Sequence, residues 1–327
     1  LQAEGTAEAG LIARRSEKQP GGASNGSGFH LSGGRPTLPR YERDEVVYVS
    51  GGEGSTSEGE FYEAISAASL LKLPVLFLIQ DNEYAISVPA EHQTPGGNVS
   101  ALLRGFPHLF VEEVNGLDVV ESFSTLRRAL VHLRSGQGPA LVHAHVVRLR
   151  PHSDSDDDRL YRPRAEKAAE NARDPIPAFE DLLLREGYLR QEDAEAIHAE
   201  VRQDVDRTVD AALLEPLPDP ASATLHVFNP RTVIEVESDA RTEGQPITVV
   251  EAINRTLEHE MRRDPRIVVF GEDVADLSRS QHLDEVAGKG GVFKVTHNLQ
   301  RKFGDHRVYN TPIAEAGIVG RAFGLAV

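Results

Sequence analysis

Short strand-like runs, largely apolar, that alternate with helix-length stretches are the feature that most constrains this chain. The runs lie at residues 46–49, 75–79, 108–114 and 140–147, with helical stretches at 58–73 and 119–135 between them. A strand with one wet face alternates apolar and polar residues, whereas a continuous run reads as a strand covered on both faces. Strands joined through a helix pair in parallel, because only a crossover is long enough to return the chain to the same end of the sheet. The pattern therefore predicts an α/β fold built on a doubly wound parallel sheet. Asp118 stands where the N-cap of the second helix belongs. Further on, Thr248 and Glu251 have capping-box spacing ahead of another strand-like run at 267–270, so a second α/β domain is expected there.

The expected organisation has three parts. Residues 1–165 form the first domain, with a helix at 1–15 and a flexible Gly-, Ser-, Pro- and Asn-rich insertion at 16–40. Residues 166–245 form an acidic helical segment, interrupted at Pro175 and Pro177 and closed by a proline-rich linker at 216–220. Residues 246–327 begin the second domain. With Leu at position 1 and an uncapped small-residue helix at 314–327, the chain is expected to be a piece of a longer protein.

Composition removes several classes of function. The 327 residues carry 51 acids against 35 Lys and Arg, a net charge of −16, which opposes binding to a phosphate backbone. The absence of cysteine excludes disulfides, thiolate zinc sites and cysteine nucleophiles. No apolar run approaches the roughly 18 residues of a membrane span, and the N-terminus lacks a secretory pattern. A cytoplasmic chain without nucleic-acid or membrane partners is expected.

The chemistry concentrates where two strands end. Gly52-Glu53-Gly54 follows the first run and Asp81-Asn82-Glu83-Tyr84 the second, and open parallel sheets bind ligands at those carboxyl ends. A carboxylate, a side-chain amide and backbone carbonyls are the hard donors that suit Mg²⁺ carrying a diphosphate. Glycines let the backbone approach the anion, and the helix beginning near Ser57 aims N–H groups at it. Either motif alone reads as an ordinary turn; their pairing within one βαβ unit favours the metal–diphosphate reading. Walker and Gly-x-Gly-x-x-Gly patterns are absent. His143 and His145 share a strand face and could hold a transition metal, but no third ligand is evident and a partly buried face accounts for them. The acidic run at 154–158 fails as a calcium loop, since Arg159 and Ala165 stand where Gly and Glu are needed.

The spacing of 29 residues between Glu53 and Asn82 resembles the thiamine-diphosphate signature, a Gly-Asp/Glu-Gly followed at such a distance by an Asn. Residues 52–60 and 82–87 together resemble the α part of the decarboxylating components of 2-oxo acid dehydrogenases. The loop at 151–163, with its Pro151-His152-Ser153 start and Leu160-Tyr161-Arg162-Pro163 end, resembles the same proteins. Residues 268–274, 290–294 and 308–320 follow the order of motifs in their β part. The resemblance implies a thiamine-diphosphate-binding fold with thiamine diphosphate and Mg²⁺ as cofactors. Glu53, Asn82 and the Tyr84 carbonyl would hold the metal, and Gly52, Gly54, Ser55 and Ile86 would lie along the cofactor. His152 would line the active site and assist acyl transfer. Glu315 would bond the pyrimidine ring and drive the proton exchange that activates the thiazolium carbon. Ser153 matches a regulatory phosphorylation position of mitochondrial relatives. Two residues depart from the family pattern: Gln80 stands where relatives can carry a diphosphate-binding Arg, and Glu83 where Gly is usual.

The activity implied is oxidative decarboxylation of a branched-chain 2-oxo acid, with the acyl group passed to the lipoyl domain of a dihydrolipoamide acyltransferase. Relatives using pyruvate or acetoin, and a non-catalytic remnant of the fold, remain open alternatives. The layout resembles fused α/β chains, which implies a homo-oligomer whose units share each cofactor between Glu53 of one and Glu315 of another.

Overall fold

The computed structural model describes residues 2, 3, 5–9, 44–225, 227, 245–278 and 280–326; the expected insertion at 16–40 lies outside them. Four parallel strands make the main sheet: β1 (Val47–Gly52), β2 (Val75–Asp81), β3 (Phe110–Asn115) and β4 (Ala140–His145), in spatial order β1-β2-β4-β3. Helix α1 (Gly59–Leu71) crosses from β1 to β2, and α3 (Val119–Arg134) from β3 to β4, with the short α2 (Val99–Leu103) between them.

The largely apolar runs feed two cores, one on each face. Val75, Phe77, Ile79 and Leu141 pack with Ile65 and Ala68 of α1 and with Val99 and Leu103 of α2. Their alternates Leu76, Ala140, Val142 and Ala144 pack with Ala129 and Leu133 of α3. This is the doubly wound arrangement that the runs predict. Asp118 caps α3 as expected, its side chain accepting from the Glu121 N–H at 2.9 Å.

Strand ends differ from expectation in an informative way. β1 runs on through Ser50, Gly51 and Gly52, which read locally as a turn, because each is in parallel register with Leu78, Ile79 and Gln80 of β2. The acidic segment also differs. Its helices are α4 (Arg164–Asn171), α5 (Pro175–Arg185) and α6 (Gln191–Leu214), so Pro177 sits within the first turn of α5 and does not interrupt it. The first turn tolerates proline because its N–H groups have no intrahelical acceptor.

The remaining elements are α7 (Val249–Arg263), β5 (Val269–Gly271), α8 (Leu299–Phe303), β6 (Val308–Asn310) and α9 (Glu315–Ala326), with β5 and β6 paired in parallel. Thr248 caps α7, accepting from the Glu251 N–H at 3.1 Å. Met261, Leu299 and Val308 form their own small core.

The chain divides into two compact units, residues 1–175 with 248–327, and residues 176–247. Contacts group residues 1–165 with residues 248–327. Glycines and one buried ion pair join them. Gly5 lies against the backbone of Arg321, and Gly324 against that of Gln2, so closely that neither position has room for a Cβ. Beside this crossing Arg321 donates to both carboxylate oxygens of Glu8, at 2.6 and 2.7 Å, with both side chains buried. In the second unit, His198 of α6 meets Glu180 of α5 at 2.7 Å.

Breaking one half of a buried pair strands the other charge, at a cost of about 3–5 kcal/mol. Glu8→Ala is expected to lose that much in urea denaturation, and Glu8→Leu with Arg321→Met to recover most of it. Equal losses in both proteins would contradict a pair whose cost is the stranded charge.

Candidate functional site

Parallel register sets the ends of β1 and β2 side by side, with Gly52 opposite Gln80. The chain leaves β1 in a tight helical turn, Glu53–Ser57. Two hydroxyls close that turn on itself: Ser55 Oγ donates to the Gly52 carbonyl at 2.7 Å, and Thr56 Oγ1 to the Glu53 carbonyl at 2.6 Å. Glu53 is left pointing inward, with only 2% of its surface exposed. Its Oε2 accepts from the Asn82 N–H at 3.3 Å, while Oε1 is buried and, among the described residues, has no partner. A buried acceptor without a partner costs about 1–3 kcal/mol, so this is a group the fold holds at a disadvantage. Burial pushes its carboxyl above the ordinary value, against N–H groups of its own turn and of Asn82 that pull down, and the Asp81 charge adds to the rise. A cation at Oε1 would reverse both penalties.

Past Asn82 the backbone is strained. Glu83 and Ile86 have φ of 69° and 58°, the left-handed region that side chains avoid and β-branched ones most of all. At Glu83, the position where the family resemblance leads one to expect Gly, a Gly would carry this φ without strain. Asp81 Oδ1 accepts from the Glu83 N–H at 2.8 Å, and Asn82 Oδ1 from the Tyr84 N–H at 3.3 Å, which together fix the bend. Residues Tyr84–Ala85 and Val88–Pro89 then pair as a hairpin. It comes so close to the turn after β1 that a Cβ on Gly54 would lie 2.6 Å from that of Ala85. Gly54 is required for this approach; Gly52 is not, since a Cβ there would have only the Gln80 carbonyl near it, at 3.9 Å.

Two arginines that the sequence does not single out hold this region. The guanidinium carbons of Arg148 and Arg162 lie 5.2 and 5.0 Å from the Tyr84 ring centroid. Arg148 donates to the Ile86 carbonyl at 2.7 Å and to Tyr161 Oη at 2.8 Å. Arg162, fully buried, donates to Glu166 Oε1 and to the Arg148 carbonyl, both at 3.0 Å, and also pairs with Glu170. Tyr84 Oη donates to the other oxygen of Glu166 at 3.2 Å. Nothing in local spacing separates Arg148 from its neighbour Arg150; the stack exists only once β2 and β4 are side by side.

The same links tie in the loop that carries His152. Tyr161 Oη donates to Asp156 Oδ2 at 2.6 Å, and that oxygen also accepts the His152 N–H at 2.9 Å. Those bonds hold Asp156 below the ordinary carboxylate range. The His152 side chain is exposed, as are Ser55 and Ile86. Glu315 opens α9 in an exposed position, and the Gly317 N–H two residues on donates to Glu63 Oε2 at 2.8 Å. Among the described residues no hydrogen bond or ion pair joins Glu315 to Glu53, Asn82, Tyr84 or His152. The structure therefore brings Glu53, Gly54, Asn82, Tyr84 and Ile86 together, tethers the His152 loop to them, and leaves Glu315 outside the cluster.

His143 and His145 do have a third partner. Asp81 lies between them, its Oδ2 2.8 Å from His143 Nε2 and 3.8 Å from His145 Nδ1. This corrects the expectation that no further ligand accompanies the two histidines. Burial raises the Asp81 carboxyl, but bonds from His143 and from the Glu83 N–H outweigh it and hold the group below its ordinary value.

Comparison with known proteins places the sequence among two families. The family described as "Dehydrogenase E1 component" matches residues 19–221, and "Transketolase, pyrimidine binding domain" matches residues 245–327. The chain is similar to the 2-oxoisovalerate dehydrogenase subunit alpha of Bacillus subtilis, 35% identical over 189 residues that cover 57% of this chain and 56% of that one. It is 32% identical over 176 residues to the 3-methyl-2-oxobutanoate dehydrogenase subunit alpha of Mycobacterium tuberculosis, covering 53% of this chain and 47% of the relative. It is 33% identical over 180 residues to the pyruvate dehydrogenase E1 component subunit alpha of Porphyra purpurea, covering 54% and 51%. The chain spans about half the length of the curated relatives it matches.

The raised carboxyl of Glu53 has a consequence for stability. A carboxyl raised on folding is penalised when ionised, so its cost is absent at low pH and grows as pH rises from the ordinary value of 4.5 through the folded one. Glu53→Gln is expected to stabilise the metal-free protein at neutral pH by on the order of 1 kcal/mol. The gain in melting temperature should shrink as pH falls toward 4.5. A less stable variant at neutral pH would contradict the account.

Proposed function

Because the chain belongs to the dehydrogenase E1 component family, we propose that it is a thiamine-diphosphate-dependent component of a 2-oxo acid dehydrogenase. One observation carries the reading: the buried, unpartnered Glu53 Oε1 beside Asn82. An oxygen donor with an uncompensated charge fits Mg²⁺, which takes carboxylate, carbonyl, water and phosphate oxygens. Glu53, Asn82 and the Tyr84 carbonyl would hold the metal, with Gly52, Gly54, Ser55 and Ile86 alongside the diphosphate and thiazolium. Thiamine diphosphate supplies the nucleophilic carbon and electron sink for decarboxylation when bound.

The chain's own residues divide the remaining work. The Arg148 and Arg162 stack holds Tyr84 and so fixes the bend beyond Asn82. His152 would deliver or take a proton during acyl transfer to a lipoyl domain of a dihydrolipoamide acyltransferase. Glu315 would serve the pyrimidine ring of a cofactor seated on another copy, which makes a closed homo-oligomer of fused chains the expected assembly. A branched-chain 2-oxo acid is the proposed substrate, on the names of two relatives; pyruvate is the second reading, at nearly equal identity. Cytoplasmic action is in keeping with a cysteine-free chain and with the absence, among the described residues, of any helix long and apolar enough to cross a membrane.

Calorimetric titration with thiamine diphosphate tests this function. Binding is expected only when Mg²⁺ is present, and Asn82→Ala should abolish it. Magnesium-independent binding, or unchanged affinity in the variant, overturns the reading. Binding to a species that sediments as a monomer overturns the shared site alone, and faster turnover of pyruvate than of 2-oxoisovalerate overturns the branched-chain assignment alone.

A further inference from the structure

The geometry points to a second cation site, formed by Asp81 Oδ2, His143 Nε2 and His145 Nδ1 and suited to a borderline divalent ion of the Zn²⁺ class. None of its ligands belongs to the proposed Mg²⁺ seat. Strand register builds it: Asp81 is opposite His145, and Ile79 and Glu113 are both opposite His143, so Asp81, Glu113 and the two histidines occupy one face of three adjacent strands. The candidate ligand atoms of Asp81, His143 and His145 all lie within 4.8 Å of one another. Tetrahedral Zn²⁺ with bonds of about 2.0–2.1 Å sets its ligand atoms roughly 3.3 Å apart. The two distances from Asp81 Oδ2, 2.8 and 3.8 Å, straddle that value.

What distinguishes this cluster from an ordinary hydrogen-bonded pair is its outer layer. Each of the three groups has its other polar atom engaged. Asp81 Oδ1 accepts from the Glu83 N–H at 2.8 Å, His143 Nδ1 meets Ser100 Oγ at 2.9 Å, and His145 Nε2 meets Glu113 Oε2 at 3.3 Å. Such partners orient metal-bound imidazoles and carboxylates and fix their tautomers. A simple Asp81–His143 bond would account for two residues and leave His145 unexplained. Yet the His145 ring lies 4.4 Å from that of His143, turned by 47°, which brings a second imidazole nitrogen to the same carboxylate.

Access and selectivity fit as well. His143 and Asp81 are buried, while the His145 side chain is 43% exposed and opens the site to solvent. Two imidazoles and one carboxylate favour Zn²⁺, Co²⁺ or Ni²⁺ over Mg²⁺ and Ca²⁺, so millimolar Mg²⁺ at the other seat would not compete. The ordered Ser100, His143 and Asp81 are no hydrolytic triad, because Ser100 and His143 have no exposed surface and no substrate can reach the hydroxyl. A bound cation would clamp β2 to β4 one residue before Asn82.

The test is a calorimetric titration of the intact, tag-free chain with Zn²⁺ in excess Mg²⁺, paired with Co²⁺ absorption spectra that report nitrogen ligation. One Zn²⁺ per chain is expected. His145→Ala, a change at a half-exposed side chain that the core does not need, should weaken binding by at least about tenfold and remove the Co²⁺ bands. Glu53→Gln should leave both unchanged. Absence of Zn²⁺ binding in the parent chain, equal affinity in His145→Ala, or loss confined to Glu53→Gln would each overturn the proposal.

Discussion

A carboxylate buried with one oxygen unpaired is the constraint around which this site is arranged. Glu53 is driven inward by a turn whose hydroxyls bond back onto the chain, and its one bond goes to the backbone of Asn82 on the next strand. The fold tolerates the cost because the strands beneath are covered on both faces and set the two strand ends side by side. Strain gathers at the same place, in the left-handed Glu83 and Ile86. Unpaired polar atoms and strained backbone persist where surrounding packing over-determines them, and they concentrate at functional sites.

Arginine–tyrosine stacking then makes the site one piece. Both guanidiniums lie over the Tyr84 ring, and donors of theirs reach Ile86, Tyr161 and Glu166. A segment as polar as residues 148–163 would be a mobile surface loop on composition alone. Its ordered path rests on Arg162, which spends every nitrogen on an acceptor inside the protein. Arginine suits this role because its planar fork bonds in several directions while its face stacks on the ring.

Much of the fold was legible from residue patterns, and part of the site was not. The strands could be read because two-sided burial leaves largely apolar runs, and α3 because Asp118 is a strong cap. Ser50 to Gly52 could not, since pairing with β2 overrides their local preference for a turn. Glu53 and Asn82 were legible through the family signature. The third partner of the His143 and His145 pair was hidden because Asp81 lies 62 residues from His143 on a neighbouring strand, and only parallel register brings it near. Arg148 and Arg162 were hidden for the same reason. Glu83 was visible as a departure from the family pattern, and its positive φ turns that departure into a physical cost.

In the function proposed above, Glu53, Asn82 and Tyr84 would hold a divalent cation beside the diphosphate. The most direct measurement is a crystal structure of the chain with thiamine diphosphate and Mn²⁺ in place of Mg²⁺, with the manganese located by anomalous scattering. The account predicts one strong peak bonded to Glu53 Oε1, Asn82 Oδ1 and the Tyr84 carbonyl. Manganese at any other place, with Glu53 Oε1 still unpartnered beside bound cofactor, would contradict it.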